Sequence, residues 1–142
     1  MREAVVVIIV KDGLVLGISR RHDATKFGLI GGKVDPGETL IGAAIREVKE
    51  ETGLTIGGCV YITDRVEPKD TEAGEDFYSY CYYASWWSGT LKESDEGHLR
   101  WLSIEEITNS PLAAFGDYNR KAFKAFQEKH PEVFNKLFNQ GK

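Results

Sequence analysis

The stretch GGKVDPGETLIGAAIREVKEETGL, Gly31 to Leu54, decides how this chain is read, because it places Glu47, Glu50 and Glu51 within five consecutive positions. On a helix, such neighbours repel by roughly a few tenths of a kcal/mol per i,i+3 or i,i+4 pair. A fold gains from that arrangement only when a cation reverses the sign of the local electrostatics. Before the glutamates, Gly31-Gly32 and Asp35-Pro36-Gly37 read as a loop, and Glu38 is expected to begin a helix that Gly53 closes. Glycine suits that closing position because it takes the left-handed conformation without a Cβ penalty. At about 100° per residue, Ile41, Ala44, Ile45 and Val48 share one face, expected to pack on a sheet, with Glu47, Glu50 and Glu51 opposite. Converging carboxylates are hard oxygen ligands, suited to Mg²⁺ or Mn²⁺ rather than zinc or copper. Taken alone, three glutamates read as a solvated acidic face. Their neighbours must decide.

Working outward, Val5–Val10 and Leu14–Ile18 are short apolar runs separated by KDG, a turn signal, and read as a strand pair. Cys59–Thr63 and Phe77–Trp87 read as further strands flanking the acidic loop VEPKDTEAGED. The aromatics of the second run read as packed core rather than as a platform for stacking bases. HLRWLSIEEI reads as a strand leading into a helix, and the tail from Asp117 to about Leu137 as helix broken near Pro131. No repeat or linker divides the 142 residues, so one domain, 1–142, is expected.

Composition narrows the partners. A net charge of −4 argues against a broad nucleic-acid or membrane surface. The apolar run Val5–Val10 is too short for a signal segment, and no run nears the roughly 20 residues of a spanning helix. Cys59 and Cys81 lack CxxC spacing and clustered histidines, which leaves reduced thiols in a cytoplasmic protein as the expectation.

The pattern Gly32, Glu38, Arg46-Glu47, an aliphatic Val48, Glu50-Glu51, Gly53 and an aliphatic Leu54 is a complete match to the box of the Nudix hydrolase family, which the chain resembles. Members of that family cleave nucleoside diphosphates linked to another group, and the MutT-type triphosphate pyrophosphohydrolases are the most similar. The resemblance implies an α/β fold, an α/β/α sandwich with a mixed, mostly antiparallel central sheet and a loop–helix–loop catalytic motif. It implies Mg²⁺, with Mn²⁺ able to substitute, held by Glu47, Glu50, Glu51 and the Gly31 carbonyl. Arg46 would orient a glutamate, since a guanidinium forks onto carboxylates and Glu50 lies one turn on. Glu38 would brace the loop, and Gly32 and Gly37 would permit its backbone conformations. In KESDEGHLRWL, Glu96 resembles the additional glutamate that Nudix triphosphatases bring toward the metals, whereas Glu93 and Asp95 read as a surface loop. Glu47, Glu50 and Glu96 are the alternatives for the general base.

Arg20, Arg21 and Lys33 are expected to meet phosphates, and Asp117 to present an acid to the base or, alternatively, to cap the last helix. The expected activity is hydrolysis of a nucleoside triphosphate, oxidised or not, to the monophosphate and pyrophosphate. An ADP-ribose or dinucleoside polyphosphate hydrolase is the rival, pointed to by Pro68, fifteen residues beyond Gly53. A non-catalytic nucleotide-binding regulatory module is the alternative of another class, and its usual mark, loss of box glutamates, is absent here. The partner is then a small nucleotide, with no nucleic-acid polymer and no membrane, in a monomer or homodimer.

Overall fold

The computed structural model describes residues 1–67 and 76–139; Pro68 and most of the acidic loop fall outside them. Strands β1 (Arg2–Ile8), β2 (Val10–Lys11), β3 (Leu14–Arg20) and β4 (Asp23–Lys33) precede helix α1 (Leu40–Thr52). Strands β5 (Thr55–Glu67), β6 (Phe77–Ser88) and β7 (Leu99–Leu102) follow, then helices α2 (Ile104–Thr108), α3 (Gly116–Lys129) and α4 (Pro131–Phe138). The sheet order is β2-β3-β4-β1-β6-β5, with β7 added on β3. β1 runs parallel to β6 and every other pairing is antiparallel, so the sheet is mixed and mostly antiparallel.

The unbroken apolar run in β1 makes sense at the centre of that sheet. Successive side chains point to opposite faces, and a strand covered on both needs apolar residues at every position. Val5, Val7 and Ile9 join Ala43, Ala44 and Val48 of α1 in one core layer. Ile8 joins Tyr118, Ala122, Phe123 and Phe126 of α3 in the other. The result is the α/β/α sandwich expected.

Three local expectations change. The first apolar run and Leu14–Ile18 are a strand pair over only part of their length. The two runs pair just at their near ends, with Val10 and Lys11 opposite Val15 and Leu14 and the Leu16 amide donating to the Ile9 carbonyl at 2.9 Å, while β1 pairs with β4 and β6. Gly31 and Gly32 are not loop but the end of β4, opposite Val6 and Val5. Helix α1 begins at Leu40 rather than Glu38, because the Thr39 hydroxyl caps it by accepting from the Gly42 amide at 3.0 Å. Such a cap is worth about 1 kcal/mol. Gly53, at φ 80°, closes the helix as the sequence indicates.

Candidate active site

The face that α1 turns to the sheet carries Ala43, Ala44, Glu47, Val48, Glu51 and Thr52. Ile41 and Ile45, expected there, are 45% and 40% exposed. The helix is rotated so that two glutamates go inward, and the sheet accommodates them with glycines. The Gly31 amide donates to Glu51 Oε1 at 2.9 Å. A Cβ on Gly32 would lie 2.4 Å from the Glu47 carboxylate carbon, and one on Gly31 would lie 2.1 Å from the Val5 carbonyl oxygen. Gly32 therefore serves by leaving space, not by taking a left-handed conformation, which among these loop glycines belongs to Gly37 at φ 84°.

Glu96 reaches the same point from the loop between β6 and β7. That loop is fastened to β3, where Ser19 takes the His98 amide on its hydroxyl at 2.8 Å and donates its own amide to the His98 carbonyl at 2.9 Å. Glu93 holds the loop's shape by accepting from the Leu99 amide at 2.8 Å. One carboxylate oxygen each from Glu47, Glu51 and Glu96 lies within 4.8 Å of the others. Burial pushes the Glu51 carboxyl up to about 9, against the Gly31 hydrogen bond, and the negative charges of Glu47 and Glu96 add to the rise. Burial likewise raises Glu47, offset in part by Arg46. Three oxygen donors that repel one another at a half-buried point fit a hard divalent cation, whose charge would remove the repulsion. Glu50 stands apart from this trio, with a side chain 52% exposed.

Arg46 holds the motif together. Its Nε and Nη2 fork onto Glu38 at 2.7 and 2.9 Å. Nη1 donates to Glu47 at 2.9 Å and Glu50 at 3.1 Å, and Nη2 also reaches the Lys33 carbonyl at 3.0 Å. One guanidinium thus ties the end of β4, the turn and the helix. Glu38 braces the turn as expected, accepting from the Asp35 amide at 2.8 Å. The hydrogen bonds from Arg46, then that from Asp35, hold the Glu38 carboxyl down to about 2. Its folded pKa lies below the unfolded value near 4.5, so the stability it adds is full above about pH 4.5 and fades as pH falls toward 2. The denaturation-midpoint difference between wild type and Glu38→Gln is expected to stay constant from pH 8 to about 5 and to shrink below about 4.5. A difference independent of pH would show that the carboxylate's charge adds nothing.

A cleft of about 330 Å³ opens beside the carboxylates, with Glu51 and Glu96 in its lining. Arg20, Arg21 and Lys33 line it too. The Arg21 guanidinium lies 3.5 Å from Glu96, and that of Arg20 stacks 4.6 Å above the Phe115 ring, which itself covers Gly28. Asp117 is not among the lining residues. Its carboxylate pairs with Lys121 at 3.2 Å and Arg120 at 3.3 Å on the outside of α3. Nor is it the helix cap: that position belongs to Phe115, which has no capping side chain. The next two residues, Tyr118 and Asn119, do line the cleft. Asn119 goes unmarked in the sequence, although a polar residue four places after Phe115, on the buried stripe of a helix, is the available signal.

The NUDIX domain family model matches residues 1–126. A CTP pyrophosphohydrolase of Escherichia coli is 32% identical over 92% of this chain and 97% of its own length. An ADP-ribose pyrophosphatase of Methanocaldococcus jannaschii is 51% identical over 110 residues, 76% of this chain and 63% of that one. The crystal structure of a MutT Nudix hydrolase from Burkholderia pseudomallei superposes with a TM-score of 0.72 at 28% identity, covering 87% of this chain and 96% of that one. With the complete box, the sandwich and a match over most of its length, the chain belongs to the Nudix hydrolase family.

Proposed function

We propose that the protein is a Mg²⁺-dependent pyrophosphohydrolase that converts a nucleoside triphosphate and water to the nucleoside monophosphate and pyrophosphate. The observation that carries this reading is the convergence of Glu47, Glu51 and Glu96 at a cleft that also holds Arg20, Arg21 and Lys33. Opening a phosphoanhydride requires a water in line, neutralised phosphate oxygens and a proton acceptor. Glu47, Glu51 and Glu96 would hold the cation, with Glu50 and the Gly31 carbonyl the further donors on the same motif. When bound, the cation supplies charge to polarise the diphosphate and acidifies a water. Arg46 keeps Glu47 and Glu50 oriented. Arg20, Arg21 and Lys33 balance the phosphate charge, and one carboxylate among Glu47, Glu50 and Glu96 takes the proton of the attacking water.

The E. coli relative supports a triphosphate substrate, since it matches this chain across nearly its whole length. The M. jannaschii relative supports a second reading, hydrolysis of ADP-ribose to AMP and ribose 5-phosphate, on its higher identity over a shorter span. A panel of CTP, ATP and ADP-ribose with Mg²⁺ and identified products separates the two. Higher kcat/KM on a triphosphate, with pyrophosphate released, is expected. Exclusive turnover of ADP-ribose would replace the first reading by the second. None of the described helices is long and apolar enough to cross a membrane.

A further inference from the structure

We infer that Glu93 is a positioning residue for the cation site: its carboxylate closes the loop between β6 and β7 into a ring and thereby sets where Glu96 meets Glu47 and Glu51. The inference rests on the reading of that trio as a cation site. In the sequence Glu93 is one more acid in KESDEG, three places before Glu96. In the fold both of its oxygens are engaged, and by the far side of its own loop. Oε2 accepts from the Leu99 amide at 2.8 Å, and Oε1 lies 3.2 Å from His98 Nδ1.

The site needs such a clasp. Loops move more than the elements they join, whereas a cation site works only when its oxygens are held to within about 0.5 Å. Glu47 and Glu51 have that precision from a helix. Glu96 has neither a helix nor burial to hold it, and the Arg21 side chain beside it is more exposed still. Pairing between such open charges fixes little, so the place of Glu96 is set by its backbone. That backbone is anchored at both ends. Just before Glu93, the Lys92 amide donates to the carbonyl of Thr52, the residue after Glu51 on α1, at 2.8 Å. Just after Glu96, Gly97 presses so closely on β3 that a Cβ there would come 2.5 Å from the Ser19 carbonyl oxygen, and His98 exchanges its two hydrogen bonds with Ser19. Between the anchors the Ser94 hydroxyl turns the chain by accepting from the Glu96 amide at 3.1 Å, and Glu93 fastens the start of that turn to its end. The loop therefore bridges the helix that carries Glu47 and Glu51 to β3, with Glu96 near its apex. Removing the clasp leaves both anchors and frees the apex.

This role needs the reach and the hydrogen bonds of Glu93 rather than a charge at the cation. Glutamine keeps the length and an oxygen for the Leu99 amide, and its amino group can face His98 Nδ1 as an acceptor in the other tautomer. Alanine keeps neither contact.

Mn²⁺ binding followed by electron paramagnetic resonance, in the absence of nucleotide, tests the inference. Glu93→Ala is expected to weaken Mn²⁺ binding about 10-fold to 100-fold, the range for losing a group that orients a metal ligand, with Tm little changed because both anchors remain. Glu93→Gln is expected to stay within about threefold of wild type. In a Glu96→Gln background, Glu93→Ala is expected to cost less than about a further twofold, because its effect passes through Glu96. Mn²⁺ binding unchanged in Glu93→Ala overturns the inference, as does a wild type that binds no Mn²⁺. An equal loss in Glu93→Gln and Glu93→Ala would make the charge itself the contribution, and a full loss on top of Glu96→Gln would make Glu93 independent of Glu96; either result overturns the positioning role. A protein that shows the expected pattern yet hydrolyses neither a triphosphate nor ADP-ribose keeps this inference and loses the proposed function. Triphosphate hydrolysis with Mn²⁺ binding indifferent to Glu93→Ala does the reverse.

Discussion

Glu51→Gln is expected to lower kcat by about two to four powers of ten while the protein stays folded. Glu51 is the deepest of the three clustered carboxylates, and its Oε1 accepts from the Gly31 amide. Glutamine keeps that hydrogen bond through its own carbonyl oxygen and keeps the volume. It removes the charge that a divalent cation needs. In the metal-free protein it also removes a buried carboxylate crowded by Glu47 and Glu96, so Tm should hold or rise. Steady-state kinetics in saturating Mg²⁺ together with a thermal melt checks both halves. Near-wild-type turnover would place the cation elsewhere, and a collapsed Tm would make Glu51 a structural residue.

Glu96→Gln is expected to lower kcat by about 10-fold to 10⁴-fold, the range for removing a general base or an assisting ligand. Unlike Glu51 it comes from a loop, with 38% of its side chain exposed and Arg21 at 3.5 Å. The loop is anchored through Ser19, His98 and Glu93, none of which the substitution touches. Stability should therefore barely move. If kcat stays within about twofold at saturating metal, Glu96 is surface acid beside the site rather than part of it.

Much of the motif is legible in the sequence because its residues are constrained by chemistry at short range. Arg46 and Glu38 sit eight positions apart and meet in a forked ion pair, while Glu47 and Glu51 are one helical turn apart and share a face. The aliphatic pattern of α1 misleads for the same reason. Ile41 and Ile45 look like its packing face by hydropathy, yet the carboxylates need to enter the protein, so the helix turns them inward and leaves the isoleucines outside. Periodicity assumes that burial follows apolarity, and a cluster of inward-facing carboxylates breaks that assumption.

The end of β4 is hidden by its glycines. Gly31-Gly32 reads as loop, but the pair belongs to a strand on which Val5 and the Glu47 carboxylate close too tightly for any Cβ. The α3 side of the cleft is hidden by distance in the chain. Asp117 carries the charge that draws attention, yet it sits on the outer side of α3, where Lys121 and Arg120 pair with it. Tyr118 falls at core spacing with Ala122 and Phe126, and only the fold shows that it also lines the cleft. Glu96 is within reach of the sequence solely through the family's pattern, since 45 positions separate it from Glu51.

The central claim is that the carboxylate trio serves a divalent cation in opening a phosphoanhydride. Phosphorus NMR of CTP turnover in Mg²⁺ and in excess EDTA tests it most directly. The account predicts CMP and pyrophosphate in equal amounts with Mg²⁺ and no turnover in EDTA; unchanged turnover in EDTA, or orthophosphate as the only phosphate released, would contradict it.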